Sequence, residues 1–243
     1  MQALNEIGLH AFYQNRHEII AQMGEVDSWQ YVDSTDSIYI KHILFIGQTG
    51  VGKSSTINSL VHENIMETDD IESCTKTINS ALFCLDKDEM EGKHFLSLCD
   101  MPGISENSKV DKDYFEWYKG MADCSDCIVY IVRADSRAHE RDEFINDNIL
   151  KYHKNKLVIG INQVDKIEPL NRNSLVITQD QTNNINKRIT EIRSLFHPKR
   201  NRIVPYSTSC FSRVGLKEYS KYGYNLNALI EQIQNSFLSA SKR

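Results

Sequence analysis

The stretch from Gly47 to Ser54 constrains this 243-residue chain most, because it reads Gly-Gln-Thr-Gly-Val-Gly-Lys-Ser. It fits the pattern G-x-x-x-x-G-K-[ST], which also arises by chance. The apolar run 43–46 before it predicts a buried strand, and residues 53–62 after it predict a helix with one apolar face. A strand, a glycine loop and a helix N-terminus together turn backbone N–H groups and a positive helix end toward an anion. The stretch therefore predicts a phosphate-binding loop, and the alternative is a glycine-rich turn with a surface lysine.

Two side chains of this loop are predicted to contact the ligand directly. Lys53 would reach the β- and γ-phosphates of a nucleotide, and the Ser54 hydroxyl would ligate Mg²⁺. The residues that we expect to bind the nucleotide here are Gly47, Gln48, Thr49, Gly50, Val51, Gly52, Lys53, Ser54 and Ser55.

Composition narrows the classes of protein to which the chain can belong. The net charge of −5 gives no basic footprint for a nucleic-acid backbone. No apolar run approaches 18 residues and no export signal opens the chain, so we expect a cytoplasmic protein without a membrane span. The six cysteines are scattered through apolar segments, which suits reduced thiols better than a disulfide framework. Cys124 and Cys127 form a single C-x-x-C, which indicates core packing more than redox or metal chemistry.

Strand and helix patterns alternate from Lys41 onward, which predicts an α/β fold. The predicted strands are 42–46, 77–85, 94–99, 127–133, 156–161 and 202–206. The predicted helices are 53–62, 109–121, 139–152, 181–196 and 225–238. Two of these strands, at 127–132 and 157–159, are continuously apolar, as parallel strands buried on both faces are. We therefore expect an open, doubly wound, mostly parallel six-stranded sheet with helices on both faces.

The N-terminal part of the chain lacks the alternation of strand and helix patterns that begins at Lys41. Apolar residues within 1–24 recur at near-helical spacing and predict a helix. This helix would either pack on the following domain or present a face to a partner. We accordingly divide the chain into an N-terminal helical extension, 1–40, and one domain, 41–243.

A second candidate motif, Asp100-Met101-Pro102-Gly103, directly follows the predicted strand 94–99. Ligands of open α/β sheets bind at the carboxyl ends of the strands. Asp100 can hold Mg²⁺ through water there, and the Gly103 N–H can meet a γ-phosphate. Asp-x-x-Gly alone is a common turn, but its position directly after a predicted strand favours a ligand-binding role here.

Two further strand ends carry residues suited to a nucleobase. The carboxylate of Asp165 in Asn162-Gln163-Val164-Asp165 could accept from the N1–H and 2-amino groups of guanine, and adenine offers neither donor. After the last strand, a backbone N–H of 207–209 could meet the guanine O6, although this segment also fits an ordinary turn. The base-side residues that we predict are Asn162, Gln163, Asp165, Ser207 and Thr208.

A threonine in the loop between the first helix and the Asp100 strand could complete the Mg²⁺ shell and sense the γ-phosphate. Thr75 and Thr77 both qualify, and the choice of Thr75 rests on order along the chain. The predicted metal set is therefore Ser54, Thr75 and Asp100. The predicted catalytic set is Lys53, Thr75 and Gly103.

These motifs, in this order along the chain, resemble the nucleotide-binding motifs of the translation-factor-related P-loop GTPases. Within that class, the segments 74–78, 100–104 and 162–169 are similar to the Era-like branch, and most of all to small bacterial, often prophage-encoded, Era-related GTPases. The resemblance covers residues 41–240. It implies a Ras-like fold, GTP and GDP as ligands, Mg²⁺ as the metal, and hydrolysis of GTP.

The departures from the pattern of these GTPases are informative. Gln163 stands where lysine is usual, which weakens a stacking contact over the base. Gly50 replaces the asparagine of potassium-activated relatives. Ile104 occupies the place of the water-orienting glutamine of Ras-type enzymes, so slow turnover is expected. Era continues into an RNA-binding KH domain, whereas this chain ends at Arg243, so RNA or ribosome binding is not carried over.

Two functions from different classes follow. The first is a GTP-binding molecular switch that hydrolyses GTP slowly and acts on an unidentified protein partner. The second is a GTP-gated assembly module, of septin or immunity-related type, that forms a homodimer with incidental turnover. A P-loop kinase or ATPase is disfavoured, because such an enzyme does not need the segment Asn162–Asp165.

Overall fold

The structure is a computed structural model of the 243-residue chain. The residues that it describes are 10–13, 38–61, 63–66, 68, 79–86, 93–104, 110–136, 139–169, 177–199, 202–208 and 223–240. The predicted switch threonines Thr75 and Thr77 lie outside these ranges, and so does Ser209.

Seven strands form one sheet within the described ranges. They are β1 His10–Tyr13, β2 Ile38–Gly47, β3 Asn79–Asp86, β4 Lys93–Asp100, β5 Cys127–Arg133, β6 Leu157–Asn162 and β7 Ile203–Pro205. Their order across the sheet is β1-β3-β4-β2-β5-β6-β7. β2 pairs in parallel with β4 and β5, and the parallel arrangement continues through β6 and β7. The mostly parallel sheet is confirmed, and each of the six predicted strands is present.

The seventh strand, β1, corrects the prediction of helix at these four residues. Residues 10–13 pair antiparallel with β3, with His10 opposite Asp86 and Tyr13 opposite Phe83. β3 is itself antiparallel to β4, so without β1 its outer row of backbone N–H and C=O groups would form the sheet edge. Pairing with a strand more than sixty residues away thus overrides the local helical spacing. The rest of the segment 1–37 lies outside the described residues, and the division of the chain at residue 40 stays a prediction.

Helices cover both faces of the sheet, as the doubly wound fold requires. They are α1 Lys53–Val61, α2 Val110–Cys124, α3 His139–Asn148, α4 Gln179–Phe196 and α5 Leu226–Ala240. One buried apolar cluster joins α2, α3 and α4 to the sheet, and a second joins α1 and α5 to the opposite face. The predicted helix 139–152 ends early at Asn148, and a short 3₁₀ turn, Leu150–Tyr152, follows it.

Local sequence explains where these elements begin and end. Every residue of β5 except Arg133 is buried, which matches its continuous apolar run. α4 begins with a capping box: the Gln181 N–H donates to the Thr178 hydroxyl at 3.2 Å, and the Thr178 N–H donates to Gln181 Oε1 at 3.1 Å. It ends at Phe196, and the next residue, His197, caps it in the left-handed region at φ +45°.

Three cysteines are described as free thiols: Cys99 and Cys127 are buried, and Cys124 is exposed. The prediction of core packing for the C-x-x-C pair is therefore right for Cys127 and wrong for Cys124, which lies at the end of α2. Burial raises the pKa of Cys127 to about 12, so its thiol stays protonated. Within the described part of the chain, no group of three or more His, Cys, Asp or Glu residues is placed to hold a metal.

The order of the strands decides where a ligand can bind. β2 lies between β4 and β5 in the sheet, so strands that follow β2 in the sequence lie on both sides of it. A crevice at the carboxyl ends of the strands is expected at such a switch point. β2 ends at Gly47, β4 at Asp100 and β6 at Asn162, so the motifs that contain these three residues lie at this edge.

Candidate functional site

The phosphate loop turns through two glycines in the left-handed region. Gly50 has φ +76° and Gly52 has φ +92°, values that side-chain-bearing residues rarely adopt. Gly47 meets a second constraint, because a Cβ there would collide with the Ile131 carbonyl of β5. The loop can therefore run close to the sheet and aim its N–H groups at one point, as an anion requires.

Lys53 lies inside this loop, at the first turn of α1. Only 6% of it is exposed, and its ammonium donates to the carbonyls of Gly47 at 3.3 Å and Gln48 at 3.2 Å. Burial lowers its pKa to about 8, while the negative charge of Asp100 opposes that shift. Phosphate oxygens would be stronger, charge-assisted acceptors than these carbonyls. Lys53 is therefore placed as the cation of an anion site.

Ser54 and Asp100, predicted to share a metal, lie in contact. The Ser54 hydroxyl donates to Asp100 Oδ2 at 2.5 Å, and Asp100 is completely buried at the end of β4. A hydroxyl and a carboxylate are the hard oxygen ligands that Mg²⁺ takes, and Mg²⁺ is usually held by one or two carboxylates together with substrate phosphates. The residues present thus fit this metal. Ser55 lies one position further along α1, where its carbonyl accepts from the Ser59 hydroxyl at 2.8 Å.

The segment after Asp100 packs directly against the phosphate loop. The Ile104 N–H donates to the Gly47 carbonyl at 3.2 Å, and the Thr49 N–H donates to the Ile104 carbonyl at 3.3 Å. Gly103 lies so close that a Cβ on it would meet the side chain and Cα of Thr49. The predicted γ-phosphate contact at Gly103 is therefore adjacent to the loop, and only glycine fits there.

Gly103→Ala is expected to destabilise the nucleotide-free protein by about 1–3 kcal/mol, because the added methyl overpacks the contact with Thr49. Gly120→Ala is the matched control, since Gly120 lies in α2 with open space around its Cβ position. Alanine in that helix should stabilise by about 0.5–1 kcal/mol. Urea unfolding of both variants measures the difference. Equal stability of Gly103→Ala and wild type would contradict the close approach.

On the base side, Asn162 ties the end of β6 to the phosphate loop. Its buried Nδ2 donates to the Val51 carbonyl at 2.9 Å, and its Oδ1 accepts from the Gln163 N–H at 2.7 Å. A Cβ on Gly52 would collide with the same Asn162 amide. Asn162 therefore joins the two halves of the site. Gln163 follows in the left-handed region, at φ +63°.

Asp165 has one satisfied and one unsatisfied carboxylate oxygen. Oδ1 accepts from the hydroxyl of buried Ser207, while Oδ2 is buried without a hydrogen-bond partner among the described residues. Buried polar atoms are rarely left without a partner, so a ligand that carries N–H donors would satisfy this oxygen. Thr208, 7% exposed, follows Ser207 at the end of β7. The two predicted base-side segments are thus brought together.

Three hydrogen bonds at the site involve residues that the sequence patterns did not predict. Asp142 of α3 accepts from the Tyr130 hydroxyl at 2.6 Å and from Gln48 Nε2 at 3.1 Å, which anchors the phosphate loop to that helix. The Thr56 and Tyr206 hydroxyls lie 2.8 Å apart. No local pattern signals Asp142, because its contacts arise from helix packing. Tyr206 could have been noticed from its place directly before the predicted base segment.

Comparison with protein families supports the same site. The family described as 50S ribosome-binding GTPase matches residues 42–163, which is half of the chain. That range includes the phosphate loop, Asp100–Gly103, and Asn162 and Gln163. Within the described residues, no helix is long and apolar enough to cross a membrane.

Curated relatives include two uncharacterized proteins of Escherichia coli strain K12. YfjP is 32% identical over 154 residues, which is 63% of this chain and 51% of that protein. YkfA is 30% identical over 195 residues, 80% of this chain and 65% of that protein. GTPase Der of Persephonella marina is 28% identical over 74% of this chain and 37% of its own length. The chain thus spans between a third and two thirds of these relatives.

Solved structures share the fold. Era of Aquifex aeolicus, bound to GDP and AlF4⁻, superposes with a TM-score of 0.61 at 23% identity, covering 82% of this chain and 57% of that one. One chain from a structure that concerns the chloroplast translocon components atToc33 and psToc159, for which dimerization is important to GTPase activity, gives a TM-score of 0.57 at 18% identity over 85% of each chain. Given the matched family model and the geometry above, the chain belongs to the 50S ribosome-binding GTPase family, as an Era-like P-loop GTPase.

Proposed function

We propose that this chain is a Mg²⁺-dependent molecular switch that binds GTP and hydrolyses it slowly to GDP. The observation that carries the proposal is the contact of Ser54 with Asp100 beside buried Lys53, at the sheet edge where Asp165 also lies. In this proposal Lys53 is the cation, Ser54 and Asp100 are the metal ligands, and Asp165 is the acceptor for the base. A nucleotide is the ligand class that needs all three.

Each of these residues has a distinct role in the proposal. Lys53 and the loop N–H groups bind the β- and γ-phosphates, and Ser54, Asp100 and Thr75 hold Mg²⁺. The metal, when bound, supplies neutralisation of the charge that develops on the transferred phosphoryl group. Gly103 offers its N–H to the γ-phosphate. Phosphoryl transfer needs mainly such positioning and electrostatic stabilisation.

On the base side, Asp165 selects guanine by accepting two hydrogen bonds from its edge. Ser207 keeps the carboxylate in place through its hydroxyl, and Thr208 extends the segment that would meet the guanine O6. We also place the protein in the cytoplasm, since its thiols suit a reducing compartment. As a switch it would act on a protein effector.

Turnover is expected to be slow, about 10⁻⁴–10⁻² s⁻¹, as in GTPases without an assisting group. Ile104 is 6% exposed and packs in the apolar core, so its side chain cannot orient water. Single-turnover hydrolysis of GTP measures the rate, and removal of Mg²⁺ with EDTA should abolish it. A fast rate that persists in EDTA would contradict the proposal. Ile104→Ala is a poor probe, because the cavity would also destabilise the fold.

The alternative function is GTP-dependent assembly into a homodimer. The similarity to a translocon structure in which dimerization is important for GTPase activity supports this alternative. The switch predicts a rate per protomer that is constant over a hundredfold range of protein concentration. An assembly module predicts a rate that rises as protomers associate. Sedimentation with a non-hydrolysable GTP analogue, at the same concentrations, reports the association itself.

A further inference from the structure

Gln163 lies between the two halves of the site and touches both. Its side-chain Nε2 donates to the carbonyl of Gly50 at 3.4 Å, beside the bond from Asn162 to Val51 at 2.9 Å. Two successive amides at the end of β6 thus hold two successive carbonyls of the phosphate loop. The bond from Gln163 is the longer and more exposed of the two. Its strength therefore depends on what fixes the other end of the amide.

Lys166 fixes that other end. Its ammonium donates to Gln163 Oε1 at 2.7 Å, and its backbone N–H donates to the Gln163 carbonyl at 3.0 Å. The first is a charge-assisted hydrogen bond, which is stronger than a bond between neutral groups. An amide whose oxygen binds a cation also becomes a better N–H donor. The charge of Lys166 is therefore transmitted to Gly50 through Gln163.

The backbone conformation makes this support important. Gln163 has φ +63°, a region that costs a non-glycine residue free energy and persists only where contacts enforce it. The Asn162 side chain provides one such contact, at the Gln163 N–H. Lys166 provides two more, and all three lie within one short segment that also carries Asp165.

We propose that Lys166 is a positioning residue for the bound nucleotide. By holding Gln163 against Gly50, it keeps the phosphate loop closed on the base-binding turn and slows nucleotide release. A lysine at position 163 would place a positive charge beside the loop. In this chain Lys166, three residues later, supplies that charge. This inference rests on the proposed guanine-nucleotide site.

The test is the release rate of a fluorescent GDP analogue, chased with unlabelled GDP. Lys166→Met keeps the apolar stem without the ammonium and should release the analogue about three- to tenfold faster, since the lost bond is charge-assisted but partly exposed. Lys187→Met is the matched control: its ammonium lies 3.2 Å from Asn184 Oδ1 at the same sequence spacing, on the surface of α4. Its release rate should equal that of wild type.

A mutant cycle separates positioning from direct contact. Gln163→Ala should accelerate release about as much as Lys166→Met, and the double variant should release no faster than either, because the lysine acts through the glutamine. Gln163→Lys in the Lys166→Met background should restore release to within about twofold of wild type. The GTP-to-XTP preference should stay unchanged in Lys166→Met, since Asp165 is intact.

Unchanged release from folded Lys166→Met would overturn the inference, and so would additive effects in the double variant. Thermal unfolding of each nucleotide-free variant shows that it is folded. If wild type binds GDP and Lys166→Met releases the analogue at the wild-type rate, only this inference is overturned. A wild-type protein that binds no guanine nucleotide overturns the proposed function as well.

Discussion

Lys53→Ala is expected to lower the affinity for GTP by at least about a hundredfold. The ammonium would make two or more charge-assisted hydrogen bonds to phosphate oxygens, and each 1.4 kcal/mol is about tenfold in affinity. The variant should stay folded, because burial lowers the pKa of Lys53 to about 8. Below that pH, the charged ammonium destabilises the ligand-free fold, so its removal is not expected to unfold the chain.

Calorimetric titration of nucleotide-free protein with GTP and Mg²⁺ measures this loss. Lys41→Ala is the matched control, since Lys41 is an exposed lysine of β2 whose ammonium contacts Asp126 at 3.0 Å, outside the site. That variant should bind GTP as wild type does. Unchanged GTP affinity in folded Lys53→Ala would mean that the loop from Gly47 to Ser54 does not bind the phosphates.

Asp165→Asn is expected to lower GTP affinity by about one to two decades and to create affinity for XTP. One carboxylate oxygen becomes an amide donor while the shape is nearly unchanged. That donor would face the guanine 2-amino group, and an unpaired buried polar group costs about 1–3 kcal/mol. Xanthine has an oxygen at that place, which the new amide can donate to. The measurement is competition of GTP and XTP for wild type and variant.

The structure adds a control for this prediction. Ser207 donates to Oδ1 of Asp165, whereas Oδ2 has no partner among the described residues. Ser207→Ala should therefore weaken GTP binding by removing the support of the carboxylate, without any gain for XTP. If Asp165→Asn lost affinity equally for both nucleotides, Asp165 would be a turn residue with a purely structural role.

A strand or helix was predictable from the sequence where the pattern of its own residues indicates its structure. β5 was predicted with its observed bounds, Cys127–Arg133, because its apolar run ends sharply at both sides. β1 was not, because apolar residues across 1–24 recur at near-helical spacing, whereas residues 10–13 form a strand by pairing with the distant β3. A contact so far away in sequence leaves no local pattern.

The same distinction holds for the site. Lys53, Asp100 and Asp165 were predicted because each belongs to a spaced motif at the end of a predicted strand. Asp142 was not found, since its bond to Gln48 depends on how α3 packs. The choice of Thr75 as the switch threonine stays a prediction, as that residue lies outside the described ranges. Packing, more than chemistry, limits what the sequence reveals here.

The central claim is that the crevice at the ends of β2, β4 and β6 binds guanine nucleotides. Its most direct test is equilibrium titration of nucleotide-free wild-type protein with GDP, GTP and ATP in the presence of Mg²⁺. We expect saturable binding of one GDP or GTP per chain, with ATP at least about a hundredfold weaker, because adenine lacks the N1–H and 2-amino donors that Asp165 would accept from guanine. Equal affinity for ATP and GTP, or binding of neither, would contradict it.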